Sequence, residues 1–239
     1  MGYKYDFHLH SCLSPCGDAD MTPYNLVNMA KLLELDIIAL TDHNTTGNCE
    51  SAVKAGEEAG VVVIPGMELC TAEEIHVVCL FPDLPSAKAF DECIRAMLPP
   101  IKNKPKIFGS QIKMDHLGGV LGEEEILLVT ASSLPITQAP GLVAQYGGFC
   151  YPAHIDRPSM SILSVLGMIR ADMGFNCAEI TPVAELPALT AMNPALADMR
   201  IIRSSDAHYL ENMREAADTI MLPELSAKAA IHALRQQSN

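Results

Sequence analysis

The chain has 239 residues, with 29 acidic side chains against 16 basic ones and a formal charge of −13. That balance argues against an extended grip on a nucleic-acid backbone, which needs clustered Lys and Arg, and no extended duplex DNA is expected as a partner. Hydrophobic residues make up 49% of the chain and Trp is absent, so the core is expected to be Leu, Ile, Val, Ala and Met. No run of 18 apolar residues exists to suggest a membrane span. Met1-Gly-Tyr-Lys-Tyr-Asp6 lacks the layout of a secretory leader, so a cytoplasmic location is expected.

Taken in chain order, short apolar runs alternate with helix-like segments, the pattern of an α/β fold. The expected strands are 3–9, 37–41, 61–64, 75–81, 148–151, 178–180, 201–204 and 219–222. The apolar character of 37–40 and 61–64 suits strands buried on both faces of a parallel sheet. Helices are expected over 24–35, 51–59, 86–98 and 225–236, the first opened by Thr22 as a cap and Pro23 at the first helical position. Residues 99–133 break the alternation with Pro99-Pro100, the basic Lys102, Lys104, Lys106 and Lys113, Gly118-Gly119 and Glu123–Glu125. This stretch reads as a basic loop and short helical excursion inserted beside one domain spanning 1–239. It is either a lid or binding loop, or solvated surface. Of the eight cysteines, seven read as small buried hydrophobes, and no CxxC pair suggests a structural zinc site.

The polar residues collect where the strands end. Strand one carries His8 and His10; Asp42 and His43 follow strand two; Glu68 follows strand three. His76 lies on strand four, His154 follows strand five, and Asp206 with His208 follows the strand at 201–204. Residues i and i+2 of a strand share a face, so His8/His10 and Asp206/His208 can each point inward as a pair. Strand ends of a parallel barrel converge on one face, where active sites sit. A lone buried carboxylate such as Glu68 is costly without a partner. Imidazoles mixed with carboxylates suit Zn²⁺, Mn²⁺ or Fe²⁺, and a multinuclear site is expected. Taken singly, His43 could be a capping residue and His76 a satisfied core histidine. His116 and His232 fall outside the pattern, as a loop and a surface histidine.

The ordered set Asp6-Phe-His8-Leu-His10-Ser11, Thr41-Asp42-His43-Asn44, Pro65-Gly66-Met-Glu68, His76, Ala153-His154 with Arg157-Pro158, and Ser205-Asp206-Ala-His208 resembles the PHP (polymerase and histidinol phosphatase) superfamily. The resemblance implies a distorted (β/α)7 TIM-like barrel and a metal-dependent phosphoesterase with two to three divalent ions. It implies a first metal on His8, His10, Glu68 and Asp206, and a second on Glu68, His76 and His154. A third would be held by His43, His208 and a residue after His10. The family's HSxxSDG spelling is here Ser14-Pro15-Cys16-Gly17-Asp18, and Asp18 is preferred for its hard carboxylate, with Cys16 and Asp20 as rivals.

Closely spaced metals lower the pKa of a shared water, so the nucleophile needs no protein base. Arg157 is expected to bind substrate phosphate through its planar fork, or else to form a surface ion pair. The expected substrate is small and phosphorylated: a phosphomonoester, a nucleotide or a short oligonucleotide. Two other classes stay open: an amidohydrolase-like barrel acting on C–N bonds, and a non-catalytic metal-binding regulatory module.

Overall fold

The computed structural model describes residues 1–216 and 218–236. Its elements in order are β1 (Gly2–Leu9), α1 (Pro23–Leu32), β2 (Ile37–Leu40), α2 (Cys49–Ala59), β3 (Val62–Cys70), β4 (His76–Leu80) and α3 (Leu84–Arg95). Then come α4 (Pro105–Phe108), β5 (Ile112–Met114), β6 (Val120–Glu123), α5 (Ala139–Gln145), β7 (Phe149–Pro152) and α6 (Ile162–Leu166). The chain ends with β8 (Cys177–Ile180), α7 (Leu186–Met192), β9 (Arg200–Arg203), β10 (Thr219–Met221) and α8 (Ala227–Arg235).

Local chemistry sets the helix ends. The Thr22 hydroxyl accepts the Asn25 N–H at 3.1 Å and Pro23 opens α1, while Asp83 accepts the Ser86 N–H at 2.9 Å to start α3. Gly60, at φ 80°, closes α2 in the left-handed conformation that suits glycine.

Six strands form one curled sheet in the order β10-β1-β2-β3-β4-β7, half of a distorted TIM-like barrel, and β8-β9 form a separate parallel pair. The Ile155 N–H donates to the Glu179 carbonyl at 2.8 Å, tying β8 to the chain beyond β7. Within the six-stranded sheet only β1-β2-β3 follow the expected parallel pairing; β4 runs antiparallel to both β3 and β7, and β10 antiparallel to β1. For β3 and β4 the reason is the tight reversal at 71–75, where the Thr71 N–H donates to the Ile75 carbonyl and no crossover helix intervenes. Strand three also runs on through Glu68 to Cys70, so Glu68 is a strand residue.

The β1–β2 register shifts between Asp6 and Leu9. Tyr5 and Phe7 pack with Ile37, Ala39 and Ile64, whereas Leu9 packs with Ile38, Leu40 and the helices α1 and α2. Aromatics hold more of the core than composition suggested: Tyr151, Phe7, Phe81 and Phe90 are its largest fully buried side chains. Of the seven scattered cysteines six are buried and Cys93 is half-buried, and all eight are free thiols. The 99–133 segment holds the four-residue α4 and a β5–β6 hairpin docked on the residues after β1, with the Ile112 N–H donating to the Cys12 carbonyl at 3.0 Å. No helix among the described residues is long and apolar enough to cross a membrane.

Candidate metal centre

Six histidines and two carboxylates meet around Glu68. Its Oε1 lies 2.8 Å from His76 Nδ1, 3.0 Å from His154 Nε2 and 3.2 Å from His8 Nε2. Its Oε2 lies 2.9 Å from His43 Nδ1 and 3.3 Å from His10 Nε2. Asp206 Oδ1 lies 3.3 Å from His8 Nε2 and 3.2 Å from His10 Nε2. The antiparallel turn into β4 brings His76 here: it pairs with Cys70 across the sheet, two residues past Glu68. His154 and Asp206 both sit at positive φ, 28° and 50°. Side chains rarely adopt that conformation unless the surroundings hold them there, and such residues concentrate at functional sites.

The surrounding hydrogen bonds assign the protons on the first two histidines. His8 Nδ1 lies 2.9 Å and 3.1 Å from the two oxygens of Glu179, which can only accept, so it carries a hydrogen. The Ser14 hydroxyl donates to Asp42 Oδ1 at 2.7 Å and therefore accepts from His10 Nδ1 at 2.9 Å. Both Nε2 atoms are then left with lone pairs, yet they lie 3.1 Å apart and face Glu68 and Asp206 oxygens. Four acceptors turned on one another repel unless a cation stands among them.

Further orphaned atoms agree. His43 Nδ1, Glu68 Oε2, His154 Nδ1 and Asp206 Oδ1 are buried with no hydrogen-bond partner. The first two are within 2.9 Å of each other but misaligned for a hydrogen bond, so distance alone does not make a pair here. The donor set fits divalent metal ions.

Three overlapping groups of ligand atoms are close enough to share an ion. They are His8/His10/Glu68/Asp206, His43/Glu68/His76 and His10/His43/His208, with all atoms of each group within 4.8 Å of one another. The first is the set expected for the first metal. The second takes His43 beside Glu68 and His76, with His154 held against the same carboxylate. The third adds His10 to His43 and His208. Asp18 is in none of these groups. Its N–H donates to the His208 carbonyl at 2.9 Å, and its Oδ1 accepts the Asp20 N–H at 2.8 Å. Cys16 is exposed as a residue; its thiol's protein surroundings, then the Glu68 carboxylate, push its pKa up to about 12. Arg157 Nη1 lies 2.6 Å from Asp206 Oδ2, so its guanidinium reaches the cluster as an ion pair.

Protons take over part of the cation's role when no metal is bound. Burial alone would lower the pKa of His8, but Asp206, Glu179 and Glu68 outweigh it and hold the ring well above its ordinary value. His76 behaves likewise: burial opposes, the Glu68 carboxylate wins, and its pKa rises to about 10. Burial prevails at His43 and His208, whose pKa values fall to about 4 and about 3. Burial works against ionised Glu68, yet the charges of His76, His8 and His43 hold it well below the usual carboxylate range.

Glu179 is the buried residue that sequence reasoning passed over. It lies in β8, accepts from His8 Nδ1 and also from the His154 backbone N–H at 3.0 Å, and so braces one ring and the backbone that carries another. The available signal was a lone carboxylate inside the apolar run Cys177-Ala-Glu-Ile180. Asp42 is not at the cluster's centre. It accepts from the Ser11 N–H (2.7 Å) and Ser11 hydroxyl (2.6 Å) and fixes the loop after β1. His116 sits 3.7 Å from Glu58, and His232 is exposed.

Fold and site together define a distorted α/β barrel whose rim carries a histidine–carboxylate cluster that could bind divalent metal. Residues 6–158 match the PHP domain, and the chain belongs to that family, whose members use divalent metals. A 5′-3′ exoribonuclease of Haemophilus influenzae is 37% identical over 83 residues, a match covering 34% of this chain and 29% of that protein. The lesion-specific endonuclease Q of Pyrococcus furiosus superposes with a TM-score of 0.71 at 16% identity, over 98% of this chain and 56% of that one. A complex of endonuclease Q with a 27-mer duplex bearing an abasic lesion gives 0.63 at 18% identity, over 88% of this chain and 50% of that one. The chain thus spans little more than half of endonuclease Q, and its match to the exoribonuclease spans under a third of that relative.

Proposed function

We propose that this protein is a metal-dependent phosphoesterase acting on a phosphomonoester, nucleotide or short oligonucleotide. The observation that carries the metal part is the facing pair of His8 and His10 Nε2 lone pairs, 3.1 Å apart among Glu68 and Asp206 oxygens. The phosphoester part rests on family membership, and on both relatives being nucleases.

His8, His10, Glu68 and Asp206 would hold a first ion, with Glu68 shared by a second on His76, His154 and the neighbouring His43. His43 and His208 would hold a third, beside His10. Asp18 is proposed to complete that position, because its backbone is bonded to His208 and, among the described residues, its half-buried side chain is held only by the Asp20 N–H. When bound, such ions supply Lewis acidity and an acidified water.

The chain's own residues do the positioning. Glu179 and Ser14 hold the His8 and His10 rings with Nε2 turned inward, and Asp42 holds Ser14. Arg157, partly exposed beside Asp206, can swing one nitrogen to a phosphoryl oxygen and keep substrate next to the cluster. An amidohydrolase-type barrel usually has a bridging Lys after a middle strand and a lone Asp late in the chain; Glu68 and the Asp206–His208 pair disfavour that reading here. The charge-based expectation against extended duplex draws no support from the structure, since whole-chain charge says little about one basic arm. Hydrolysis of phosphomonoesters, nucleoside bisphosphates and short oligonucleotides, assayed with Mn²⁺ and with Zn²⁺, tests the reading. Absence of turnover across that panel in metal-loaded protein refutes it.

A further inference from the structure

The insertion carries an unusual surface and packs against the loop after β1. Lys102, Lys104 and Lys106 fall within five residues of a strongly acidic chain, next to Ile107 and Phe108, which are 70% and 41% exposed. Lys113 does not belong to this surface, because Glu124 binds it at 2.7 Å, and Lys102 leans towards Glu125 at 3.8 Å. Lys104 and Lys106 have no carboxylate within 4.0 Å among the described residues.

The arm is braced. The Asn103 side-chain N–H donates to the Gly109 carbonyl at 2.9 Å, and the Asn103 backbone N–H donates to the Glu125 carbonyl at 2.8 Å. Gly109, at φ 99°, lies so close to Pro15 that any side chain there would overlap the Pro15 carbonyl oxygen. Pro15 follows Ser14, whose hydroxyl bonds His10. The exposed Phe108 ring and the two free lysines are therefore built onto the loop that positions a ring of the cluster.

We propose that Lys104, Lys106 and Phe108 form a single-strand nucleic-acid subsite, with Phe108 stacking on a base and the lysines holding flanking phosphates. This combination, an aromatic platform beside backbone-tracking cations, binds single strands with little regard to sequence. Because the arm abuts the loop that holds His10, the proposal rests on the phosphoesterase reading and narrows its substrate to an oligonucleotide.

The test is fluorescence anisotropy with a labelled ten-nucleotide phosphorothioate oligothymidylate, which resists cleavage, alongside turnover of the unmodified strand and of bis(p-nitrophenyl) phosphate. Phe108→Ala should weaken binding about tenfold, and Phe108→Trp should restore it, as loss of one stacked base predicts. Lys104→Ala/Lys106→Ala should reduce the dependence of log K on log salt by about 1.4, from about 0.7 per phosphate contact. The turnover ratio of oligonucleotide to small ester should fall with the binding. Unchanged binding in both variants overturns the subsite. So does a wild-type chain that ignores the oligonucleotide but dimerises in sedimentation through a contact abolished by Phe108→Ala. Binding that follows the predictions, with neither of these esters nor any phosphomonoester or nucleoside bisphosphate hydrolysed, upholds the subsite and refutes the phosphoesterase reading.

Discussion

The carboxylate of Glu179, buried in β8, lies 2.9 Å from Nδ1 of His8, on β1, across 171 residues of chain. That contact fixes which nitrogen of His8 carries hydrogen and turns the other towards Asp206 and Glu68. Outer carboxylates of this kind commonly support metal affinity by about 10–100-fold. Glu179→Gln, which keeps the shape but removes the negative charge, should lower metal affinity by that order. Titration of metal-free protein with Mn²⁺ or Zn²⁺ by calorimetry measures it, and unaltered affinity would remove Glu179 from the proposed site.

Glu68 touches five of the imidazoles, so its loss should be felt by more than one ion. In Glu68→Ala, metal content by elemental analysis should fall by more than one ion per chain. Phosphoester hydrolysis should fall by more than about a hundredfold, equivalent to about 2.7 kcal/mol of barrier. Activity equal to wild type would refute the shared-ligand role.

Arg157 pairs with Asp206 from a partly exposed position, so it is free to exchange that partner for a phosphate. Arg157→Ala should raise KM about tenfold with metal content retained, and Arg157→Lys should recover only part of the loss, because Lys lacks the planar fork. A change confined to metal content, with KM constant, would mean that Arg157 serves the cluster alone.

Third-site occupancy separates Asp18 from Cys16. Asp18→Ala should yield protein short of one ion per chain, while Cys16→Ser should keep the wild-type complement. The reverse pattern transfers the ligand role to Cys16, whose thiol senses the Glu68 and Asp206 carboxylates.

Metal-free protein should lose stability as pH rises above neutrality. His76 has its folded pKa raised from 6.5 to about 10, against burial, by Glu68. A raised group contributes stability that is complete below its unfolded pKa and disappears as pH climbs through the folded one. The window is therefore about pH 6.5–10, where His43 and His208 are already neutral. Thermal midpoints in chelator should drop across pH 7–9, by about 2–4 °C per kcal/mol lost. Metal-loaded protein should not show that drop, since its bound imidazoles have already released their protons. Parallel curves with and without metal would rule out proton-for-metal exchange.

The sequence by itself determined which side chains assemble: six histidines, Glu68 and Asp206 all stand on or just past apolar strand segments, where a packed barrel leaves no neutral use for them. It also set where α1 opens and where α2 closes, because Thr22-Pro23 and Gly60 act through bonds only a few residues long, whereas the end of α1 and the start of α2 lay two to three residues from expectation. Strand direction lay beyond it. Period-two patterning is the same for parallel and antiparallel partners, so only the folded sheet shows β4 reversing to bring His76 against Glu68. Glu179 and the Gly109–Pro15 contact belong to the same category: each joins residues far apart in the chain, and a single sequence carries no record of such meetings. Tertiary structure alone decided which lone pairs face one another, and hence where the proposed cation would sit.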